Sequence, residues 1–92
     1  MINVNEYFEG QIKSLGFERD SIQYTAGVFS PGTYSLATEK EEHVTVTLGA
    51  FEIRLPGSDW KTVKAGETII IPPNTTFDLK VTKTASYLCM YK

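Results

Sequence analysis

The segment GETIIIPPNTTF, residues 66–77, carries the clearest fold signal in this sequence. Gly66 supplies a turn, and the three isoleucines that follow are β-branched residues of the kind that strands prefer. Pro72 and Pro73 end that strand because proline has no N–H to donate to a ladder. Asn74 tolerates the positive φ that a tight turn needs. The segment therefore predicts a buried strand held between two turns.

Outside this segment, glycine and proline recur at short intervals, and apolar residues alternate with polar or small ones between them. The alternation is found in five runs: Ile22–Val28, Tyr34–Thr38, Val44–Leu48, Phe51–Leu55 and Phe77–Val81. A period of two is typical of strands that bury one face. Short strands with closely spaced turn signals predict an all-β sandwich or barrel. Since 92 residues contain no linker or internal repeat, we expect one domain over residues 1–92.

The composition excludes several classes of function. Nine Lys and Arg against eleven Asp and Glu give a net charge of −2, which disfavours nucleic acid or an anionic membrane as the partner. No apolar run approaches the roughly 20 residues that a membrane-spanning helix needs. Cys89 is the only cysteine, so an intrachain disulfide and a cysteine-based zinc site are excluded. We expect a cytoplasmic protein and, because so small a domain covers its apolar surface poorly, a homodimer.

The spacing of the opening segment resembles the second cupin motif, which reads glycine, five residues, proline, one residue, glycine, two residues, histidine. Gly66 and Pro72 match the first two positions, while Asn74 replaces the second glycine and Phe77 replaces the histidine. Glu42 also lies seven residues before a glycine, which is the glutamate-to-glycine interval of the first cupin motif. The resemblance implies a single small cupin barrel of the RmlC-like jelly-roll type.

The ligand positions of metal-binding cupins have lost their histidines in this sequence. Phe77 stands where the second motif places its histidine, and the two histidine positions of the first motif fall near Leu36 and Thr38. Of the usual three histidines and one glutamate, only Glu42 remains. One carboxylate cannot form a specific transition-metal site. We therefore expect neither a metal nor an organic cofactor.

A closer resemblance covers nearly the whole chain. The segments that carry it are Asn5–Phe8, Lys13–Phe17, Pro31–Tyr34, Leu55-Pro56, Asp59-Trp60 and Ser86–Cys89 with Tyr91. In their order and spacing they resemble the pyrimidine/purine nucleoside phosphorylase family of short, metal-free bacterial cupins. Members of that family carry an acidic pair and then methionine before the strand that contains Gly49. Here Glu42 keeps the first acid, and His43 occupies the position of the second.

This resemblance implies an enzyme that cleaves purine and pyrimidine nucleosides with orthophosphate, giving a free base and a pentose 1-phosphate. The reacting sugar passes through an oxocarbenium-like state, as in glycoside hydrolysis. Glu42 is the candidate catalytic residue, since a carboxylate can accept hydrogen bonds from ribose hydroxyls and stabilise the cationic sugar. The competing interpretation of Glu42 is a solvated acid in the charge run of residues 39–42.

The candidate substrate-binding residues come from predicted strand faces. Tyr34 and Thr38 share the face on which the first cupin motif directs its ligands inward, so they are candidates for ribose or phosphate binding. Phe77 is a candidate for stacking on the base, and Tyr87 for a pocket wall with a phenolic donor. Ordinary packing in the core or an interface is the competing explanation for each. Lys13 is the candidate phosphate-binding residue because its segment is shared with the family, and a solvated charge is its alternative.

Three further residues are not expected to take part in the reaction. His43 is the only histidine, and because neighbours in a strand alternate, it points outward if Glu42 points inward. Cys89 and Tyr91 are expected in the core or an interface. No basic or histidine neighbour in sequence would lower the pKa of Cys89, so a nucleophilic role is not expected.

Two other functions stay open from the sequence. One is a non-catalytic cupin that binds a small metabolite or another protein, and it is distinguished by ligand binding without turnover of nucleosides. The other is a metal-dependent cupin that uses Glu42 and His43 as ligands, and elemental analysis distinguishes it.

Overall fold

The computed structural model describes all 92 residues, which form ten β-strands and no helix. The strands are β1 (Asn3–Tyr7), β2 (Ile12–Arg19), β3 (Ile22–Phe29), β4 (Gly32–Ala37), β5 (Glu42–Leu48), β6 (Ala50–Arg54), β7 (Lys61–Lys64), β8 (Thr68–Ile71), β9 (Thr76–Val81) and β10 (Ala85–Tyr91). No element is a helix long and apolar enough to cross a membrane.

The strands form two antiparallel sheets. The six-stranded sheet has the order β1-β2-β3-β10-β5-β8, and the four-stranded sheet has the order β4-β9-β6-β7. This topology confirms the predicted all-β, RmlC-like jelly roll. The sheets face each other as two open layers and do not close into a continuous barrel.

One hydrophobic core lies between the sheets, and it accounts for most of the alternating sequence pattern. Its 15 buried residues are Ile12, Phe29, Tyr34, Val44, Val46, Phe51, Ile53, Val63, Ile69, Ile71, Phe77, Leu79, Val81, Ala85 and Cys89. Fully burying a side chain such as Leu79 contributes roughly 1.5–3 kcal/mol. The runs in β5, β6 and β9 therefore direct their apolar residues inward, as their period of two predicted, except for Leu48 at the end of β5, which is 66% exposed.

The segment that begins at Gly66 forms β8, a turn and the start of β9. Gly66 and Asn74 adopt positive φ values of 88° and 53°, as predicted. The prediction of a buried strand is wrong for one residue, since Ile69 and Ile71 are buried but Ile70 is 55% exposed. The reason is that the six-stranded sheet packs against the core through one face only, so alternate residues of β8 face solvent.

The apolar alternation in β3 is oriented away from the core. Ile22 and Val28 are exposed, whereas Thr25 is buried. Small residues occupy the middle of the inner face because Tyr87 of β10 lies directly across from Gly27. A Cβ on Gly27 would lie 2.5 Å from the phenolic oxygen of Tyr87. The aromatic side chain of the neighbouring strand thus fills the space that β3 leaves.

The turn at Asn74 provides a test of the fold. We expect Asn74→Ala to lower the free energy of unfolding by about 1 kcal/mol, because the left-handed region costs an ordinary L-residue roughly 1–2 kcal/mol. Asn74→Gly should cost less, since glycine has no Cβ to clash there. Urea denaturation, followed by Trp60 fluorescence, measures both variants. If Asn74→Ala is as stable as Asn74→Gly, the backbone conformation does not limit this turn.

Candidate active site

A cavity of about 150 Å³ lies between the two sheets and is almost entirely apolar. Thirteen of its fourteen lining residues are hydrophobic, and the exception is Glu42. The lining residues are Tyr7, Ile12, Phe29, Leu36, Ala37, Glu42, Val44, Phe51, Ile53, Ile71, Phe77, Leu79, Tyr87 and Tyr91. A partly open apolar pocket with a few polar groups at one end is typical of a small-molecule site.

A polar cleft of about 400 Å³, here called the vestibule, adjoins the cavity. It shares Tyr7, Ala37, Glu42 and Tyr91 with the cavity, and we call these four residues the neck. The remaining vestibule residues are Asn3, Asn5, Gly16, Gln23, Thr25, Glu39 and Lys40. One ligand can therefore lie across both compartments, with an apolar part in the cavity and a polar part in the vestibule.

Glu42 lies at the neck because the register of β5 directs it inward. It is the first residue of β5 and pairs with Tyr91 of β10 and Ile71 of β8. The side chain is partly buried and forms no ion pair. Burial raises the pKa of Glu42 above 4.5, and a hydrogen bond from the Cys89 thiol to Oε1, at 3.6 Å, opposes the shift. Glu42 is thus not a freely solvated acid, and an unpaired carboxylate in a cleft is a candidate for function.

The inward residues of β10 supply weakly acidic donors near the cavity. Tyr87 stacks on Phe29 with ring centroids 4.4 Å apart, and burial raises the pKa of Tyr87 to about 12. The Tyr91 hydroxyl shares a 3.1 Å hydrogen bond with Thr25 Oγ1, and burial raises the pKa of Tyr91 as well. Burial, then the charge of the nearby carboxylate, raises the pKa of Cys89 to about 12. All three groups stay protonated at neutral pH, which supports the expectation that Cys89 is not a nucleophile.

Three of the six predicted site residues meet in this cavity, namely Glu42, Phe77 and Tyr87. Leu36, at a histidine position of the first cupin motif, lies directly across from Phe77 in the β4–β9 pair. Both side chains line the cavity. The residues at or near these two motif positions therefore present apolar surface to the cavity.

The other three predicted residues lie outside the lining of the cavity and the vestibule. The buried Tyr34 donates its hydroxyl to the backbone carbonyl of Ser30 at 2.6 Å. Thr38 is also buried, and its hydroxyl donates to the Pro72 carbonyl at 2.6 Å, which ties two loops together. Lys13 is exposed and contacts a Glu6 carboxylate oxygen at 3.4 Å. The polar group of each of these side chains thus has its partner outside the cavity.

The donor set does not fit a metal ion. No group of three or more His, Cys, Asp and Glu side chains is arranged to hold one. His43 and Glu42 project to opposite faces of β5, and His43 Nε2 contacts Glu41 Oε2 at 2.7 Å. The pair required for a metal-dependent cupin is therefore separated by the strand.

Sequence reasoning missed three of the four neck residues as site residues, namely Ala37, Tyr91 and Tyr7. Tyr91 was expected in the core or an interface, but it lines both the cavity and the vestibule. Its place follows from β10, which continues to the end of the sheet at which Glu42 begins β5. Tyr7 belongs to the segment Asn5–Phe8, one of those that carry the family resemblance, so a signal was present. Its inward direction required the pairing of β1 with β2.

The sequence matches one family over almost its whole length. A family model described as pyrimidine/purine nucleoside phosphorylase matches residues 2–91. A pyrimidine/purine nucleoside phosphorylase from Pectobacterium atrosepticum is 46% identical over 93 residues, with 99% of each chain covered. One of the same name from Photobacterium profundum is 41% identical over 92 residues, again with 99% of each covered.

Solved structures agree with this fold. A protein of unknown function from Vibrio parahaemolyticus superposes with a TM-score of 0.97 at 38% identity, covering 100% of this chain and 99% of the other. An RmlC-like cupin from Shewanella frigidimarina gives a TM-score of 0.76 at 17% identity, covering 99% of this chain and 83% of the other. The second likeness bears on the fold alone.

The burial of Glu42 predicts how stability depends on pH. We expect Glu42→Gln to raise the melting temperature near neutral pH, because burial disfavours the charged carboxylate. A carboxyl group whose pKa is raised on folding stabilises the fold when protonated, and this contribution is lost as the pH rises through that pKa. The advantage of the variant should therefore shrink as the pH falls toward 4.5.

Thermal unfolding followed by circular dichroism from about pH 4 to pH 8 measures this dependence. Glu18→Gln is the matched control because Glu18 is exposed on β2. The stability difference between Glu42→Gln and the wild-type protein should vary with pH more than that of the control. If it does not, burial of the charged Glu42 carboxylate does not destabilise the fold.

Proposed function

The chain belongs to the pyrimidine/purine nucleoside phosphorylase family, and we propose that it is a cytoplasmic, metal-independent nucleoside phosphorylase of broad specificity. It would cleave purine and pyrimidine nucleosides with orthophosphate to free base and pentose 1-phosphate. The observation that carries the proposal is an apolar, aromatic cavity with one half-buried carboxylate, Glu42, at its neck.

The cavity suits the base of the nucleoside. Phe29, Phe77 and Tyr87 contribute aromatic surface to its lining. No Asn, Gln, Asp or His side chain lines it, so no fixed set of such groups reads the edge of the base. A largely hydrophobic pocket discriminates only weakly between ligands of similar shape. This lining supports activity on purines and pyrimidines alike.

The neck suits the sugar. With the base in the cavity, the ribose lies beside Glu42 and the hydroxyls of Tyr7 and Tyr91. The bond between the anomeric carbon and the base nitrogen breaks, and its electron pair stays on the base, which takes a proton from water or phosphate. A phosphate oxygen forms the new bond to the anomeric carbon. The Glu42 carboxylate stabilises the positive charge that develops on the sugar between these events.

Metal independence rests on the chemistry of the donors. Leu36 and Phe77 stand at two former ligand positions and have no atoms that coordinate a metal. Charge stabilisation must then come from Glu42, from phenolic hydroxyls and from groups in the vestibule. We therefore assign no step of the reaction to a metal ion.

The activity is tested by measuring base release from uridine and inosine by liquid chromatography. We expect release only when orthophosphate is present, and we expect it to persist after treatment with a chelator. Glu42→Gln should lower kcat by about 10²–10³-fold, as is typical when one preorganised electrostatic contact to a transition state is lost. Glu18→Gln, on an exposed part of β2, should retain full activity.

Several results would contradict the proposal. Base release without phosphate would indicate hydrolysis. Stabilisation by nucleosides without any turnover would favour a non-catalytic binding cupin. Full activity in Glu42→Gln would remove the carboxylate from the mechanism.

We also propose a homodimer formed through the outer face of the six-stranded sheet. Val4, Leu15, Ala26 and Leu88 are register partners on consecutive strands β1, β2, β3 and β10, and they line one groove on that face. Leu15 is 46% exposed and Val4 73% exposed. A contiguous apolar row of this kind marks a protein interface more often than a free surface. Paired face to face, two copies would cover it with twofold symmetry.

The dimer is tested by analytical ultracentrifugation. We expect the wild-type protein to sediment as a dimer and Leu15→Lys to sediment as a folded monomer, because a charge in the row would be buried without a partner. Ile70→Lys is the control, since Ile70 is equally apolar and exposed but lies on β8 at the opposite edge of the sheet. A monomeric wild-type protein contradicts this interface.

A further inference from the structure

We propose that the vestibule is the orthophosphate site, with the Lys40 ammonium group and the side-chain amides of Asn5 and Gln23 as its donors. This inference rests on the proposed function, which requires an anion within reach of a sugar held at the neck. The vestibule shares the neck residues with the cavity, so an anion there would face the sugar from the side opposite the base.

Lys40 is the only basic side chain that lines either compartment. It is exposed and forms no ion pair, so its ammonium group is free to bind an anion. The cavity itself contains no basic side chain. A phosphate near the sugar therefore has one cation available to it, and that cation is Lys40.

Gly16 has no side chain and lies beside the amide groups of Asn5 and Gln23. A Cβ at Gly16 would lie 3.5 Å from Asn5 Nδ2 and 3.6 Å from Gln23 Nε2. The present hydrogen bonds of these nitrogens are long, at 3.3 Å to Ser14 Oγ and 3.4 Å to the Tyr24 carbonyl. Each amide nitrogen carries two hydrogens, so each keeps one for a further acceptor. Two such donors beside one glycine of the vestibule lining form a candidate cradle for an oxyanion.

The vestibule also contains groups that oppose an anion. Glu39 and Glu42 line it beside Lys40. Glu39 is exposed, so its repulsion is screened by salt but not abolished. Removing the Glu39 charge and removing the Lys40 charge should change phosphate affinity in opposite directions.

Lys13, the residue indicated by the sequence, is the natural competitor for this role. Ile12 and Ser14 on either side of it are buried, so Lys13 projects from the outer face of β2, where it contacts Glu6. That face is separated from the vestibule by the sheet itself. Lys13 and Lys40 therefore form a matched pair of exposed lysines, one on each side of the six-stranded sheet.

The experiment measures two quantities for each variant: the KM for orthophosphate at saturating nucleoside, and the rise in melting temperature caused by orthophosphate alone at constant ionic strength. We expect Lys40→Gln to raise the KM for phosphate about tenfold, the effect of losing one charge-assisted hydrogen bond. Gly16→Ala should also raise it, because the new methyl group fits at ordinary contact distances but occupies the cradle. Glu39→Gln should lower the KM for phosphate, and Lys13→Gln should leave it unchanged.

An unchanged KM and an unchanged phosphate-induced stabilisation in Lys40→Gln would overturn the assignment, as would an equal loss in Lys13→Gln. The stabilisation by phosphate alone separates this inference from the proposed function. If the wild-type protein is stabilised by phosphate through Lys40 but releases no base, the anion site stands and the phosphorylase activity fails. If base is released normally and Lys40→Gln has no effect, the activity stands and the site fails.

Discussion

The packing of two open sheets around one core is the constraint on which the rest of the structure depends. Ile53, Leu79 and Val46 are among its most deeply buried side chains, and they fill the space between the sheets. These side chains do not fill that space completely, because Ile53 and Leu79 also line the cavity that remains between the sheets. The only charged group in its lining is the carboxylate of Glu42. The same burial that holds the sheets together thus creates the environment of the candidate site.

The desolvation of Glu42 links stability and function in one group. Burial raises the pKa of this carboxyl group, and no cation offsets the cost of its charge. The Cys89 thiol is the hydrogen-bond donor to it, and a thiol is a weak donor. A charge left without a partner at an apolar wall destabilises the fold, yet it is suited to stabilise positive charge that develops on a bound sugar. In many proteins, residues of the functional site lower the stability of the fold but are needed for activity.

Much of the fold could be predicted from the sequence because strand pattern and turn chemistry are local properties. The period of two in β5, β6 and β9 identified their inward faces, and Asn74 adopts the positive φ expected of it. The candidate site was predicted only in part. Glu42, Phe77 and Tyr87 line the cavity, whereas Tyr34 and Thr38 use their hydroxyls on backbone carbonyls. Both kinds of residue follow the inward alternation of their strands, with Thr38 one residue beyond β4. Alternation alone cannot tell whether a side chain meets a cavity or another loop.

The sequence by itself determined the class of fold, the family and the loss of the histidines that would hold a metal, because these depend on residue identity and spacing along the chain. Only the tertiary structure decided which side chains share a site. Asn5, Gly16, Gln23 and Lys40 come from β1, β2, β3 and the loop after β4, and nothing in their sequence spacing relates them. They meet because β1, β2 and β3 are neighbours in one sheet, and the loop after β4 lies over its inner face. The physical reason is that contacts in an antiparallel sandwich are set by strand order and register, which join residues far apart in the chain.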